Sequence, residues 1–456
     1  MRAYWFFAFV LLALAGCMPA SPGLRDVANR AVAPETLRVM PPMNQFGAPR
    51  PFAPARANAE LAQDFLELSF MMESGRPIAQ LSRFEGPVSI TVTPGAPATV
   101  LPDLDRLIAR LRQEARIDIR RIPYGETPAN ITIETLPRAR MQRVVPHAAC
   151  FVVPRVSSWS EFHRNRNSRI MDWTTLETRE HVAVFIPNDV APQEIRDCLH
   201  EEVAQALGPL NDLYRLADSV FNDDNFNAVL TGFDMLILRA YYDAELRSGM
   251  TRAEVAAALP AILARINPSA PPGAASAASA TPRAWITAIE TALGPGTREA
   301  ARPAAAARAV EIARQSGLSD GRLAFSYFAL GRLSLGDDPQ QSINAFLAAR
   351  DIYDTIAPGG IHAAHIDMQL AAFALSTGRF DEALRLTGAA MPAATLGENA
   401  ALLSTLLMIR AEALDGLGRT SQAQQVRLDS LSWGRYGFGT NAELGARLTE
   451  IASLTP

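Results

Sequence analysis

The sequence predicts an α+β domain followed by an all-α domain of helical repeats. Between residues 59 and 266, short segments of alternating polarity are mixed with longer segments of helical spacing. From residue 283 to 456 the segments have helical spacing alone. Residues 267–282 are rich in Pro, Ala, Ser and Gly and indicate a linker. A chain of 456 residues is long enough for two such domains.

Residues 1–16 have the pattern of a secretion signal. Arg2 supplies a positive charge, and the apolar core at residues 5–15 is too short to span a bilayer as a mature helix. The core ends in Leu-Ala-Gly-Cys, which resembles the bacterial lipobox. This resemblance implies cleavage before Cys17 and acylation of that residue, which gives firm membrane anchoring when several chains are attached. A simple signal peptide with an incidental cysteine is the alternative.

The residues after Cys17 indicate where the protein is anchored. Met18 stands where an Asp would resemble an inner-membrane retention signal. We therefore expect a lipoprotein at the periplasmic face of the outer membrane. Residues 17–58 are rich in Pro, Ala and Arg and predict a flexible tether between the anchor and the folded body.

The three cysteines fit an oxidising compartment. If Cys17 carries lipid, Cys150 and Cys198 remain as one pair, and a pair in the periplasm predicts a disulfide. Two free thiols are the alternative. Closing a loop of this length stabilises a fold by roughly 3–4 kcal/mol in the chain-entropy model.

The charge distribution excludes one class of partner. The net charge is −4, 20% of residues are charged, and no block of basic residues occurs. This argues against nucleic acid as a partner.

The elements of the first domain follow from periodicity. The alternating segment 88–93 lies between Gly-Pro and Pro-Gly and predicts a strand, whereas the apolar positions of 104–115 have helical spacing. Pro192 suits the first turn of a helix. The full set comprises helices at 61–72, 104–115, from 192 and at 251–266, and strands at 88–93, 117–122, 130–134, 151–153 and 181–186.

The helix that begins at Pro192 carries the most informative motif. Its sequence Cys-Leu-His-Glu-Glu-Val-Ala-Gln-Ala-Leu-Gly resembles the active-site helix of zinc metallopeptidases, H-E-x-x-H-x-x-G-x-x-H/D. When the two are aligned on Gly208, the metal-ligand positions are Glu201, Gln205 and Asn211. The general-base position is occupied by Glu202. The framework of the motif is therefore retained while its histidines are replaced.

The order of elements extends this resemblance over residues 85–245. Strand, helix, several strands and motif helix follow the order of the metzincin-like fold, and the segments 218–221 and 230–241 lie where that superfamily has a turn beneath the metal and a later helix. The Cys-Leu-His-Glu-Glu-x-x-Gln-x-Leu-Gly signature further resembles a family of uncharacterised proteobacterial lipoproteins. These resemblances imply a metzincin-like α+β domain on an anchored protein.

The histidines exclude a zinc site ligated by two of them on one helical turn. No two of the six lie at positions i and i+4, and His200 is turned by about 100° from the aligned ligand position. The positions Glu201, Gln205 and Asn211 offer one carboxylate and two amide oxygens, which suit calcium better than zinc. The acidic run at 218–225 could add oxygens, although a solvated loop is the reading we favour.

Glu202 has two possible roles. As a general base it would take a proton from an attacking water. As a structural carboxylate it would bond to backbone or to Tyr241, while Gln205 and Asn211 would pair with each other in the space left by the metal.

Three segments of the second domain are alike. They occupy residues 328–336, 370–378 and 409–418, and their final glycines are 42 and 40 residues apart. A second helix follows each segment, most clearly at 379–386. This pattern resembles tetratricopeptide-type helical hairpins, which implies a solenoid with a concave groove. An irregular helical bundle is the alternative, since the usual period is ~34 residues.

Two functions follow from these features. In the first, which we favour, a degenerate peptidase domain binds an extended peptide or an envelope protein in its cleft, the repeats bind a partner, and no cofactor is needed. In the second, the protein is a metal-dependent hydrolase, a peptidase with a divalent metal at Glu201, Gln205 and either Asn211 or Asp212, and with Glu202 as base.

Overall fold

A computed structural model of the protein describes residues 40–47, 54, 56–146, 148–222, 224, 226–274, 280–294 and 296–456. The predicted signal segment 1–16 and the predicted acylation site Cys17 lie outside the described residues, as do most of the predicted tether and two residues of the acidic run, Asp223 and Asn225. Within the described ranges, no helix combines the length and the apolar character needed to cross a membrane.

A five-stranded sheet forms the centre of the N-terminal half, and all five predicted strands are present in it. The order is β2-β1-β3-β5-β4, in which β2, β1, β3 and β5 are parallel and β4 pairs antiparallel with β5. The strands are β1 (Val88–Val92), β2 (Ile119–Arg121), β3 (Ile131–Leu136), β4 (Phe151–Pro154) and β5 (Val182–Pro187).

Helices cover both faces of this sheet. Successive side chains of a strand point to opposite faces, so alternate residues of β5 enter two different cores. Val184 packs in the core formed with the longer helices, and Phe185 packs in the core formed with the short helices. The larger core involves α1 (Asn58–Ser69), α2 (Val100–Gln113), α5 (Pro192–Leu207), α6 (Gly232–Tyr241) and α7 (Arg252–Ile266), and the smaller involves α3 (Arg138–Gln142) and α4 (Trp159–Asn165).

In the described residues of the C-terminal half, every regular element is a helix, and one of them is the 3-10 helix at Glu299–Ala301. The structure thus confirms a mixed sheet-and-helix region followed by an all-helical region. Each helix of this half packs against the next. The helices are α8 (Arg283–Leu293), α9 (Arg302–Gln315), α10 (Gly321–Leu333), α11 (Pro339–Ile356), α12 (Ile361–Ser376), α13 (Phe380–Leu396), α14 (Ala400–Gly416), α15 (Thr420–Gly437) and α16 (Asn441–Ala452).

Two of the repeated glycines end helices in the same way. Gly378 and Gly418 have φ angles of 70° and 72°, the left-handed region that glycine adopts without steric cost. The following amides, of Arg379 and Arg419, bond to the carbonyls of Ala374 and Leu414, as in a Schellman motif. The spacing of 40 residues therefore marks equivalent turns between paired helices.

Part of the segment predicted as a tether packs on the folded body. Residues 40–47 run in extended form along α15, where the ring of Phe46 lies 4.5 Å from that of Trp433. The backbone N–H of Asn44 donates to the carbonyl oxygen of Ser432, and Arg106 of α2 donates to the carbonyl oxygen of Phe46. Apolar burial and backbone hydrogen bonds explain why this stretch is ordered against both halves.

Candidate functional site

A disulfide joins the motif helix α5 to the beginning of β4. The bond links Cys150 to Cys198, with their Cα atoms 5.9 Å apart, and it confirms the pairing predicted from the cysteine count. It holds α5 beneath the antiparallel edge of the sheet. The motif residues therefore lie at a covalently fixed distance from the edge strand.

A cavity of about 230 Å³ opens beside this disulfide. Both cysteines line it, together with acidic side chains from one face of α5 and residues of the loop that follows the helix. The full lining is Ala149, Cys150, Glu194, Asp197, Cys198, Glu201, Val220, Asn222, Asn227 and Ala228. The charged residues of this lining, Glu194, Asp197 and Glu201, are all acidic.

Glu201 and Glu202 bring two carboxyl groups close to the disulfide. One oxygen of each and the Sγ atom of Cys150 lie within 4.8 Å of one another. Glu202 is buried, and its Oε2 atom has no hydrogen-bond partner among the described residues. At this oxygen, the predicted bond to backbone or to Tyr241 is therefore not formed.

The protonation of Glu202 is set by its surroundings. Burial raises the pKa of Glu202 well above its usual range, and the negative charges of Glu201 and Glu73 raise it further. A raised pKa favours the protonated form of this carboxyl group over the ionised form that acts as a base toward water.

The three aligned ligand positions do not face one space. Glu201 lines the cavity at the disulfide, whereas Asn211 lines a second cavity of about 550 Å³ on the side of α1. The Asn211 amide donates to the carbonyl oxygen of Glu67 at 3.0 Å. Both Gln205 and Asn211 belong to the described residues, and no hydrogen bond joins their side chains.

The C-terminal end of α5 is held by residues that the sequence did not indicate. The buried guanidinium of Arg179 donates to the carbonyl oxygens of Gln205 and Ala206 at 2.6 and 2.7 Å, and to that of Gly208 at 2.5 Å. The hydroxyl of Tyr242 donates to the carbonyl oxygen of Leu207 at 2.9 Å. The carbonyls that a helix end leaves unpaired are thus satisfied by side chains distant in sequence.

Gly208 is required by a close approach. A Cβ atom at this position would lie 3.0 Å from the ring of Tyr241. The motif glycine lets the ring of α6 pack directly on the turn after α5. This contact positions the segment that leads to Asn211.

His200 has a structural role in this arrangement. Its Nδ1 atom accepts a hydrogen bond from the backbone N–H of Leu230 at 3.1 Å. Burial lowers the pKa of His200 well below its usual value, and the nearby positive charges of Arg110 and Arg196 act in the same direction. The neutral imidazole therefore ties α5 to the loop before α6.

The segment 218–221, where the metzincin-like fold has a turn beneath its metal, is anchored by Asp234. This carboxylate accepts hydrogen bonds from the hydroxyl of Ser219 at 2.5 Å and from the backbone N–H groups of Val220 and Thr231 at 3.2 and 2.7 Å. Burial raises the pKa of Asp234 to about 6, while these hydrogen bonds oppose the increase. The turn and α6 thus form one unit below α5.

The N-terminal part of α5 contacts the helical half. Arg196 is buried and donates to the carbonyl oxygen of Glu398 at 2.8 Å. The Gln193 side chain donates to the side-chain oxygen of Asn399 at 3.1 Å and accepts from the backbone N–H of Ala401 at 2.9 Å. The motif helix is therefore an interface element as well as a site element.

The loop after the motif inserts an aromatic side chain into the helical half. Phe226 is buried, with its ring 4.9 Å from that of Phe328 and 4.6 Å from that of His362. The Nε2 atom of His362 lies 3.3 Å from a carboxylate oxygen of Asp224. This loop therefore provides contacts between the sheet-containing half and the helical half. No local sequence pattern predicted these contacts.

Comparison with known protein families gave a match in the sheet-containing half of the chain. Residues 58–261 match a family described as a protein of unknown function (DUF2927), a span that runs from α1 into α7. No curated protein and no solved structure matches the chain.

Proposed function

We propose that the protein is a lipid-anchored periplasmic lipoprotein whose sheet-containing domain is a degenerate, metzincin-like peptidase that binds an extended peptide. In this proposal Cys17 carries the lipid, and the helical half is a tetratricopeptide-like solenoid that binds a partner protein. The observation that carries the proposal is the unpaired edge of β4, which lies beside the cavity at the disulfide.

The register of β4 determines which backbone N–H and C=O groups point outward at its edge. The N–H of Arg155 donates to the carbonyl of His181, so hydrogen-bonded and non-hydrogen-bonded pairs alternate from there along the antiparallel ladder. Val152, opposite Val184, falls in a non-hydrogen-bonded pair. Its N–H and C=O therefore point away from β5. Among the described residues no strand pairs with this side of β4.

Edge-strand addition suits this geometry. A peptide that pairs with Val152 gains backbone hydrogen bonds, which give affinity with little demand on sequence. Pro154 on the same edge lacks an N–H, so the edge accepts only a short segment. A short, partly blocked edge also protects the free protein from pairing with other copies.

Replacement of Val152 by Pro tests this binding. Pro at this position removes the outward N–H without breaking a ladder bond, whereas Val152→Ala shortens the side chain and keeps the N–H. We expect Val152→Pro to bind the best peptide from a random library about fivefold more weakly than wild type, because one hydrogen bond contributes about 1 kcal/mol. Equal affinities of Val152→Pro and wild type, in variants with equal melting temperatures, would exclude this mode.

The absence of catalysis is a separate part of the proposal. Because burial favours the protonated form of Glu202, and because Glu201 and Asn211 face different cavities, we expect Glu202→Gln to leave peptide binding unchanged and the wild type to release no cleavage products. A loss of binding in a stable Glu202→Gln protein would contradict this reading.

A metal-dependent hydrolase is the second candidate, and one observation favours it. Glu201 and Glu202 form a pair of carboxyl groups in different environments, one lining a cavity and one buried, which is the arrangement that separates acid and base roles. In this case a chelator abolishes peptide cleavage. Elemental analysis also finds a stoichiometric divalent metal that Glu201→Ala removes.

The anchor is tested independently of the binding site. In cells supplied with labelled fatty acid, the wild-type protein is expected to carry the label and to sediment with membranes. Cys17→Ser is expected to lose both properties. A Cys17→Ser protein that stays membrane-bound and labelled would refute lipidation at this residue.

A further inference from the structure

Three potential metal ligands converge where the disulfide meets α5, and a fourth, Cys198, is covalently bonded to one of them. Cys198, Glu201 and Glu202 lie at positions i, i+3 and i+4 of one helix, which places them on one face. Cys150 reaches the same point from the start of β4. Its Sγ atom lies within 4.8 Å of one carboxylate oxygen of Glu201 and of one of Glu202.

A second observation points to a ligand at this place. The Oε2 atom of Glu202 is buried and has no hydrogen-bond partner, although the Glu202 side chain is among those that converge on the disulfide. A buried oxygen of this kind is costly, and native structures supply it with a proton, a water or an ion. The cavity next to it is open to small molecules.

We propose that reduction of the Cys150–Cys198 disulfide creates a zinc site formed by the two cysteine thiolates with Glu201 and Glu202. Thiolate and carboxylate are ligands that zinc prefers, and four of them suit its tetrahedral coordination. The set differs from the aligned metallopeptidase positions, since it uses neither Gln205 nor Asn211. It lies one helical turn closer to the beginning of α5.

The distances leave little rearrangement to be made. Tetrahedral zinc with bonds of about 2.0–2.3 Å places its ligand atoms roughly 3.5 Å apart. The Sγ atom of Cys150 and one oxygen each of Glu201 and Glu202 lie within 4.8 Å of one another, so small rotations of the two carboxylates bring these three ligands to zinc spacing. Once the sulfur–sulfur bond is broken, the two sulfurs move apart to the same spacing.

The redox step balances with a dithiol as the reductant. One thiolate of the dithiol attacks a sulfur of the Cys150–Cys198 bond and forms a mixed disulfide, which the second thiol of the reductant resolves. Two electrons and two protons pass to the protein, which ends with two thiols, while the reductant becomes a disulfide. Zinc binding then releases the two thiol protons to solvent, together with any proton held by the Glu202 carboxyl group.

The disulfide is accessible enough for this exchange. Cys150 is only half-buried, and both cysteines line the cavity of about 230 Å³. Glu201 lines the same cavity, so a cation that enters it meets this carboxylate.

Metal titration of the full-length protein in detergent tests the proposal. The protein is reduced with a small dithiol, freed of it without oxygen, and titrated with Co²⁺ and then Zn²⁺. We expect one equivalent of Co²⁺ to bind with thiolate-to-metal charge-transfer absorption, and Zn²⁺ to displace it. The oxidised protein is expected to show neither signal.

Variants distinguish the four-ligand site from adventitious binding. We expect Glu201→Gln and Glu202→Gln each to weaken Co²⁺ binding to the reduced protein at least tenfold. Glu194→Gln, which changes a carboxylate of the same cavity outside the ligand set, should stay within about threefold of wild type. Full affinity in both Glu201→Gln and Glu202→Gln would overturn the site.

A second measurement distinguishes absence of the metal site from unfolding of the reduced protein. If the reduced, metal-free protein loses helical circular dichroism, added Zn²⁺ must restore it, because metal affinity then appears as folding free energy. Failure to restore the signal, or binding no tighter than in the Cys150→Ser/Cys198→Ser protein, would overturn the proposal. Neither result bears on peptide binding at β4, which the oxidised protein tests.

Discussion

The Nδ1 atom of His200 accepts a hydrogen bond of 3.1 Å from the backbone N–H of Leu230. The bond connects the motif helix with the loop before α6, and it requires a neutral imidazole. A proton on Nδ1 would face the N–H of Leu230. The position that stands next to the metal ligand in the aligned motif therefore contributes to stability.

This bond predicts a loss of stability in acid. Because the pKa of His200 is far below its usual value in the fold, the unfolded chain alone takes up the proton as the pH falls below about 6.5. The free energy of unfolding should therefore decrease by about 2 kcal/mol between pH 6.5 and 5 from this residue. His200→Asn, whose amide oxygen can replace Nδ1, should show a smaller decrease in urea titrations.

The exposed His163 provides the control for this pH effect. His163→Asn should follow the wild-type pH dependence. An equally steep decrease in His200→Asn would assign the acid sensitivity to other groups.

Arg179 is expected to be among the most sensitive positions of the sheet-containing half. Arg179→Met leaves the carbonyl oxygens of Gln205, Ala206 and Gly208 without their donor in a buried place. We expect a loss of about 3 kcal/mol or more in the free energy of unfolding, and an intermediate loss for Arg179→Lys.

The exposed Arg120 is a matched site for this comparison. Arg120→Met should change stability by less than about 0.5 kcal/mol. Similar urea midpoints for Arg179→Met and Arg120→Met would show that the end of α5 does not depend on the guanidinium.

Phe226 is expected to couple the unfolding of the sheet-containing half to that of the helical half. Phe226→Ala removes the ring that packs on Phe328 and His362, and it should cost about 3–5 kcal/mol. Since the lost contacts join the halves, calorimetry should resolve two transitions in place of one.

Phe221 provides the matched truncation, because it is equally buried but belongs to the core of the sheet-containing half alone. Phe221→Ala should destabilise by a similar amount while a single transition persists. Identical thermograms for the two variants would argue against a coupling role for Phe226.

The disulfide closes a loop of 48 residues. In the chain-entropy model its removal in Cys150→Ala/Cys198→Ala should lower the free energy of unfolding by about 4 kcal/mol. Guanidinium titration of the oxidised wild type and of this variant measures the difference. A variant as stable as wild type would show that the bond makes no net contribution to the free energy of unfolding.

The sequence allowed the elements of the first half to be placed closely. The alternation at 88–93 and the helical spacing at 104–115 survive as β1 and α2, since local periodicity sets which side chains face a core. Pro192 begins α5 as expected, because a proline in the first turn costs no hydrogen bond. The pairing of Cys150 with Cys198 followed from parity and compartment.

The candidate site was predicted less completely. The motif identified Glu201 and Glu202 and placed them near Cys198, since a helix fixes the relation between positions three and four residues apart. It also placed Asn211 beside Glu201, whereas the chain after Gly208 turns this side chain toward α1. The direction of a chain beyond a helix end depends on what the next segment packs against.

By itself, the sequence determined the periodicities, the cysteine pair and the helical character of the C-terminal half, all of which depend on residues close in the chain or on simple counting. Only the tertiary structure decided that Arg179 caps α5, that Phe226 enters the helical half and that residues 40–47 lie on α15. The physical reason is that a backbone carbonyl or a buried ring accepts a partner from any distance along the chain, so such contacts leave no local pattern.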